Sequence, residues 1–141
     1  MKFDYFKFPL SPPSHLFGNA ILKPIIPIKI SYNNRSLRYN ALIDSGADFC
    51  IFDSEIGEYL GIDIRSGTKE GFGGIQESAS AEAFLHPVTI NVGGLEYKTM
   101  VAFSYDIANY GFGILGQKGF FDTFIVKFNL PKEEIELKAE K

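Results

Sequence analysis

One short segment combines residue types that could carry out acid–base chemistry: Asp44-Ser45-Gly46, directly after the apolar run Ala41-Leu42-Ile43. An apolar strand ahead of an acid predicts that a carboxylate is delivered to a sharp turn at the end of a buried element. Gly46 permits a backbone path, and a close approach of another chain, that a side chain would obstruct. Ser45 offers a hydroxyl that can anchor the turn. The pattern therefore predicts an acid held rigidly at a surface cleft.

Asp-Ser-Gly also occurs in ordinary turns, because all three residue types favour turns. Its context strengthens the chemical interpretation: the apolar approach, the continuation into Ala47, and Ile114-Leu115-Gly116 far downstream. The motif is present once. Asp53-Ser54-Glu55 and Asp122-Thr123-Phe124 resemble it but lack the glycine.

Other sites are less well supported. Cys50, the single cysteine, could act as a nucleophile with His15 or His86 as base, but it lies inside an apolar run where a lone thiol is usually a small buried hydrophobe. The two histidines lack the short spacings of zinc motifs, so no metal site is predicted. The glycine-rich stretch 71–74 lacks the Lys-Ser/Thr of a phosphate loop.

The elements that must position Asp44 are short strands. Residues 24–31 and 36–43 predict a hairpin turning at Asn33-Asn34, and residues 49–52 predict another strand. Strands over 83–92 and 96–103 are expected to join at Gly93-Gly94. A short helix should begin at Asp53 or Ser54 and stop at Gly61, and a second is predicted over 117–123. Residues 124–129 and 135–138 predict the last two strands.

Composition narrows the class. The chain of 141 residues has 14 Phe, 7 Tyr, 14 Gly and 7 Pro, which favours an all-β domain. A net charge of −3 gives no basic footprint for nucleic acid. No apolar run reaches the roughly 20 residues of a membrane helix, and the opening residues lack the apolar core of a signal peptide. With one cysteine, a cytoplasmic protein is the expectation.

The sequence resembles the retropepsin-like aspartic peptidases, the retroviral proteases and their cellular relatives. Three elements in order carry the resemblance, from about residue 24 to residue 138: Leu42-Ile43-Asp44-Ser45-Gly46-Ala47, Gly71-Phe72-Gly73-Gly74, and Ile114-Leu115-Gly116 with Gly119-Phe120-Phe121. The resemblance implies a small closed acid-protease barrel with one or two short helices, one lobe per chain. We divide the chain into an aromatic, proline-rich arm (1–23) and a peptidase domain (24–141).

The resemblance also implies residue roles. Asp44 is the catalytic residue, Ser45 and Gly46 belong to the active-site loop, and Ala47 and Asp48 bind substrate. Asp48 could equally be an ordinary turn-capping residue. The loop containing Phe72, Gly73 and Gly74 is the expected flap over a peptide, with an ordinary glycine-rich hairpin as the alternative. No metal or organic cofactor is implied.

Because such a site needs two carboxylates about 3 Å apart, a chain with one motif must form a two-fold homodimer to act as an endopeptidase. Its substrate would be a peptide lying in a groove lined by residues such as Ile51, Ile75 and Ile114. Some relatives have an Arg directly after the Ile-Leu-Gly glycine that braces the dimer; here Gln117-Lys118 follows. A catalytically silent barrel that binds peptide or serves assembly is the alternative function.

Overall fold

The computed structural model describes residues 1–73, 80–107 and 111–140. These ranges contain twelve strands, one α-helix, and two single 3-10 turns at Ile64–Ser66 and Tyr105–Ile107. The strands are β1 (Lys2–Asp4), β2 (Phe6–Ser14), β3 (Gly18–Lys23), β4 (Ile25–Tyr32), β5 (Arg35–Ile43), β6 (Ile51–Asp53), β7 (Thr68–Gly73), β8 (Ser80–Val92), β9 (Leu95–Ser104), β10 (Gly113–Leu115), β11 (Phe124–Asn129) and β12 (Glu134–Ala139). The helix, α1, spans Ser54–Tyr59.

Six strands close into a small barrel in the order β4-β5-β10-β6-β9-β8. Closure comes from β4 pairing with β8, where Lys29–Ser31 lie opposite Asn91–Thr89. The seventh strand of this sheet, β7, pairs with β8 outside the closed ring. The predicted all-β acid-protease barrel is therefore confirmed.

Apolar side chains fill the barrel because alternate residues of a strand point to the same face. In β4, Ile26, Ile28 and Ile30 are buried, and the exposed Pro27 lies between them. Pro27 pairs with β5 but lies outside the stretch that meets β8, so its missing N–H weakens no closure bond. The core continues through Phe52, Phe103 and the neighbouring buried apolar residues.

The turns follow the predicted chemistry. The β4–β5 hairpin turns at Asn33, whose φ is 53°, a conformation that Asn tolerates better than most residues. The β8–β9 hairpin turns at Gly93 and Gly94, also with positive φ. The first predicted helix is confirmed as α1, where Asp53 caps the N-terminus by accepting a hydrogen bond from the amide of Glu55 at 3.0 Å.

The second predicted helix, over residues 117–123, is wrong: this segment is a series of turns. The amides of Phe121 and Asp122 donate to the carbonyls of Gly116 and Gln117, five residues back, which is wider than the α-helical spacing. Gly119 has a φ of 100°, which no right-handed helix accommodates. The predicted strand over 49–52 is also shifted, since β6 begins at Ile51 and ends at Asp53.

The first 23 residues form two different structures. β1 pairs with β12 in a three-stranded sheet with β11, and the charged amino group of Met1 donates to the carbonyl of Leu137 at 2.8 Å. Within the described residues, β2 and β3 pair only with each other. The division into an arm over 1–23 and a domain over 24–141 stays a prediction.

Within the described ranges, the helices are too short and too polar to cross a membrane.

Candidate active site

The strand that leads to Asp44 lies in the middle of the barrel wall. β5 has β4 on one side and the parallel strand β10 on the other, with Ile43 directly beside Leu115. The amide of Asp44 continues this pairing by donating to the carbonyl of Leu115 at 2.9 Å. Both flanking residues, Ile43 and Leu115, are buried. The Asp44 backbone is thus fixed by the sheet before the chain turns.

The turn after β5 orients one half of the carboxylate. Oδ1 of Asp44 accepts a 2.9 Å hydrogen bond from the amide of Gly46, and the Asp44 carbonyl accepts one from the amide of Ala47 at 3.1 Å. A Cβ on residue 46 would lie 3.2 Å from Oδ1, a tight contact that the glycine avoids. Asp44 is half-buried, and Oδ2 accepts no hydrogen bond from any residue in the described ranges. This oxygen remains available for another group.

The segment after β10 crosses directly behind the active loop, residues 44–48. Amides of Gln117 and Lys118 donate to the carbonyls of Ala47 and Asp48 at 2.8 and 2.9 Å. A Cβ on Gly116 would lie against the carbonyl oxygen of Phe49 and 2.7 Å from that of Ala47. Backbone atoms have no room to move aside here, so the glycine of Ile-Leu-Gly is required by packing.

Gln117 is a positioning residue that the sequence interpretation missed. Its side-chain Nε2 donates a 2.6 Å hydrogen bond to the carbonyl of Ser45, inside the active loop. From the sequence, the resemblance indicates only that Gln117 stands where some relatives have a dimer-bracing Arg. The usable signal was its position directly after Gly116, but the partner, 72 residues earlier in sequence, emerges only from the fold.

Beneath the loop, Cys50 is fully buried. Its Sγ accepts a hydrogen bond from the amide of Gly116 at 3.4 Å and donates to the carbonyl of Lys118 at 3.5 Å. Burial raises the pKa of this thiol to about 12. A neutral, buried thiol does not suit a nucleophile. The ring of His86 is engaged elsewhere, with Nε2 2.7 Å from the carbonyl of Ile64.

The remaining predicted site residues are placed as follows. Ser45 and Asp48 are exposed in the active loop, Ala47 is half-buried, and the Ser45 hydroxyl makes no hydrogen bond within the described part of the chain. Phe72 and Gly73 end β7, opposite Ala81 and Ser80 of β8. Gly74 and Ile75 lie outside the described residues.

Two of the predicted groove residues meet in the barrel wall. Ile114 of β10 lies directly opposite Ile51 of β6. Both belong to a small apolar cluster, separate from the main core, with Ala83, Ala102 and Ile107, and Phe49 and Leu85 also pack against it. Because Ile114 is only partly buried, part of this cluster is accessible at the surface beside β5.

Residues 1–73, 80–107 and 111–140 contain no group of three or more His, Cys, Asp or Glu side chains that could hold a metal ion.

Comparison with known proteins places the chain. The family described as aspartyl protease matches residues 26–118, about two thirds of the sequence. No curated protein matches this chain. Among solved structures, EIAV protease complexed with the inhibitor HBY-793 is 26% identical with a TM-score of 0.51, and the alignment covers 67% of this chain and 82% of that one.

Two further structures share the fold at lower identity. A retropepsin-like aspartic protease from Rickettsia conorii is 14% identical with a TM-score of 0.57, covering 97% of this chain and 90% of that one. The retroviral protease-like domain of Ddi1 from Leishmania major is 17% identical with a TM-score of 0.57, covering 82% and 88%. With the family match over residues 26–118, these likenesses lead to one conclusion: the chain belongs to the aspartyl protease family, in its retropepsin-like form.

Proposed function

We propose that this protein is an aspartic endopeptidase in which Asp44 residues from two subunits activate a water molecule. The observation that carries the proposal is the state of the Asp44 carboxylate in a member of this family. One oxygen is fixed by Gly46, and the second is bound by nothing in the described ranges. A rigid backbone with one open oxygen is what a catalytic carboxylate requires.

The need for two subunits comes from the chemistry. Two carboxylates about 3 Å apart cannot both ionise, so they share one proton and act as base and acid at once. This chain has one Asp-Ser-Gly. The second carboxylate therefore comes from a second copy, with the two-fold axis passing beside Asp44.

The reaction follows from that shared proton. The ionised carboxylate takes a proton from the water molecule while the water oxygen attacks the carbonyl carbon of the peptide bond. The protonated carboxyl gives its proton to the carbonyl oxygen, which yields a neutral tetrahedral diol. Collapse of the diol breaks the C–N bond, the amine nitrogen receives one proton, and one carboxyl proton remains on the pair.

The neighbouring residues have supporting roles in this proposal. The Ser45 hydroxyl is exposed and is assigned a hydrogen bond across the axis. The Gly46 carbonyl, Ala47 and Asp48 are assigned to the substrate backbone. The hydrogen bonds from residues 117 and 118 to the active loop support this arrangement because they limit its movement.

The substrate would be a peptide in extended conformation. β7 has β8 as its partner on one side, and no strand in the described ranges pairs with its other edge. A peptide can add backbone hydrogen bonds to such an edge. We assign the end of β7, with Phe72, Gly73 and Gly74, to the flap over the peptide. The partly accessible cluster around Ile51 and Ile114 favours apolar side chains beside the cleaved bond.

The decisive experiment compares wild type with Asp44→Asn for cleavage of a denatured protein, from about pH 4 to pH 7. Asp63→Asn, at an exposed acid away from the active loop, is the matched control. We expect cleavage by wild type and Asp63→Asn and none by Asp44→Asn. Equal cleavage by all three would overturn the proposal. Absence of cleavage by folded wild type would favour a silent peptide-binding barrel.

A mixture of wild type and Asp44→Asn tests whether each active centre is shared between two subunits. If each active centre needs Asp44 from both subunits, an equimolar mixture of wild type and Asp44→Asn retains activity in roughly a quarter of the dimers after subunit exchange. Activity that instead falls by about half would mean that each chain acts alone. The single cysteine, Cys50, suits a reducing compartment, and we propose that the protein is cytoplasmic.

A further inference from the structure

The β2–β3 hairpin, residues 6–23, pairs with no other strand in the described part of the chain. Its strands form a separate two-stranded sheet, and all eighteen residues are described and none of them is buried. An isolated two-stranded hairpin is marginally stable in water. We call this element the N-terminal hairpin. It requires another surface to be stable.

The hairpin presents apolar side chains in two places. Phe6 and Phe8 lie on the same face of β2, with ring centroids 5.9 Å apart, and Ile21 lies opposite Phe8 on that face. At the tip, Leu16 is 81% exposed and Phe17 is 52% exposed. Exposed apolar side chains grouped in this way mark an interaction site rather than ordinary solvated surface.

The base of the hairpin lies beside the active loop. Pro24, the residue after β3, accepts a 2.9 Å hydrogen bond at its carbonyl from the amide of Ile43, the residue before Asp44. On the other strand, the amide of Tyr5 donates to the carbonyl of Glu133 at 3.2 Å. The hairpin therefore leaves the barrel at the end where the two-fold axis of the proposed dimer must pass.

The charge of the N-terminal hairpin indicates which partner it can bind. Residues 6–23 carry two lysines, Lys7 and Lys23, and no acid, while the other 123 residues carry 12 basic and 17 acidic side chains. The hairpin is thus positive and the rest of the chain is negative. A second copy of this chain offers the complementary charge.

We propose that the N-terminal hairpin docks on a second copy of this chain and is the element that holds the dimer together. The proposal rests on the proposed function, since the need for a second copy comes from the single Asp44. The hairpin precedes residue 26, where the match to the family begins, although the likeness to the Rickettsia structure, which covers 97% of this chain, extends over the hairpin as well. The hairpin would stabilise the dimer in place of the Arg that follows the Ile-Leu-Gly glycine in some relatives. This chain has Gln117 at that position.

The test removes the apolar tip. Leu16→Ser/Phe17→Ser is compared with wild type by sedimentation velocity, from nanomolar to high micromolar protein. Tyr59→Ser/Met100→Ser is the matched control, because these side chains are 60% and 44% exposed and lie outside the hairpin. We expect the dimer dissociation constant to rise at least about tenfold in the tip variant only. Added salt should weaken the wild-type dimer.

Cross-linking gives a second readout that does not depend on the tip. Cys50 is buried, so His15→Cys creates one accessible thiol for a benzophenone maleimide. Irradiation should give a covalent species of twice the 15.7 kDa chain mass, with the cross-link between the hairpin of one copy and the second copy. Cross-links confined to a single chain would overturn the proposal.

The outcomes separate the hairpin from the enzyme. A tip variant that is as dimeric as wild type overturns the hairpin proposal and leaves the peptidase standing, and a wild type that stays monomeric overturns it as well. Hairpin-dependent dimers in which Asp44→Asn cleaves like wild type support the hairpin and overturn the peptidase. Tip-dependent binding to phosphatidylserine vesicles, with an unchanged dimer, would assign the tip to lipid and overturn the proposal.

Discussion

The side-chain nitrogen Nε2 of Gln117 donates a 2.6 Å hydrogen bond to the carbonyl oxygen of Ser45. This contact joins the segment after β10 to the residue that follows Asp44. Together with the backbone bonds from Gln117 to Ala47 and from Lys118 to Asp48, it fixes the active loop from behind. The loop that carries the Asp44 carboxylate is therefore fixed by contacts within its own chain.

Loss of this side-chain bond should affect activity more than stability. Gln117→Ala removes one exposed hydrogen bond, so the free energy of unfolding should fall by about 1 kcal/mol, while kcat should fall about tenfold because the loop is less well positioned. Lys118→Ala is the control, since its exposed ion pair with Asp122 at 3.4 Å contributes about 0.5 kcal/mol or less. Urea unfolding and steady-state kinetics provide the two measurements. Equal kcat values for the two variants would contradict the role given to Gln117.

Gly116→Ala should destabilise the fold. Its Cβ would press on backbone carbonyls of Ala47 and Phe49, and such overpacking costs about 1–3 kcal/mol. Gly71→Ala is the matched control, because a Cβ there meets nothing within 4 Å. The midpoint of urea unfolding should drop for the first variant and stay near wild type for the second. Similar midpoints would mean that the crossing behind the active loop is looser than the distances indicate.

The buried thiol of Cys50 should make the free energy of unfolding decrease at alkaline pH. Its pKa is about 12 in the folded chain and close to 9.0 in the unfolded chain, so the unfolded state loses this proton first as pH rises. The contribution to stability is complete below about pH 9 and declines between pH 9 and pH 12, by about 1 kcal/mol per pH unit. Cys50→Ala should show a shallower decline of unfolding free energy over this range. Parallel curves for the two proteins would contradict the burial of the thiol.

Tyr97 stabilises the turns over residues 117–123, where a second helix was predicted. Its hydroxyl donates a 2.8 Å hydrogen bond to the carbonyl of Gly119, and burial raises the pKa of the phenol well above 10.0. Tyr97→Phe should lower the free energy of unfolding by about 1–2 kcal/mol, because the carbonyl loses its donor. Tyr59→Phe, at a side chain that is 60% exposed, should stay within about 0.5 kcal/mol of wild type. Thermal unfolding near pH 7 compares the two, and a larger loss for Tyr59→Phe would refute this account.

The strands and their turns could be predicted because their signals are local. From Ile26 to Ile30 the isoleucines of β4 alternate with Pro27 and Lys29, and Asn33 and Gly93-Gly94 have the residue types that positive φ requires. Asp53 predicted the start of α1 because a capping side chain acts on an amide two residues away. The second helix, predicted over Gln117 to Thr123, could not be tested by such local signals. The positive φ of Gly119 belongs to a turn that packs against Cys50 and Tyr97, which are distant in sequence.

The sequence by itself determined the family and the one residue on which the proposed chemistry depends, since Asp44-Ser45-Gly46 and Ile114-Leu115-Gly116 are short motifs with fixed order. Only the tertiary structure decided how those motifs meet: β10 lies parallel to β5, Gly116 passes behind Ala47, and Gln117 reaches Ser45. It also decided that the N-terminal hairpin stands apart from the barrel. The physical reason is that contacts between residues about 70 positions apart depend on chain topology, which local propensity does not encode.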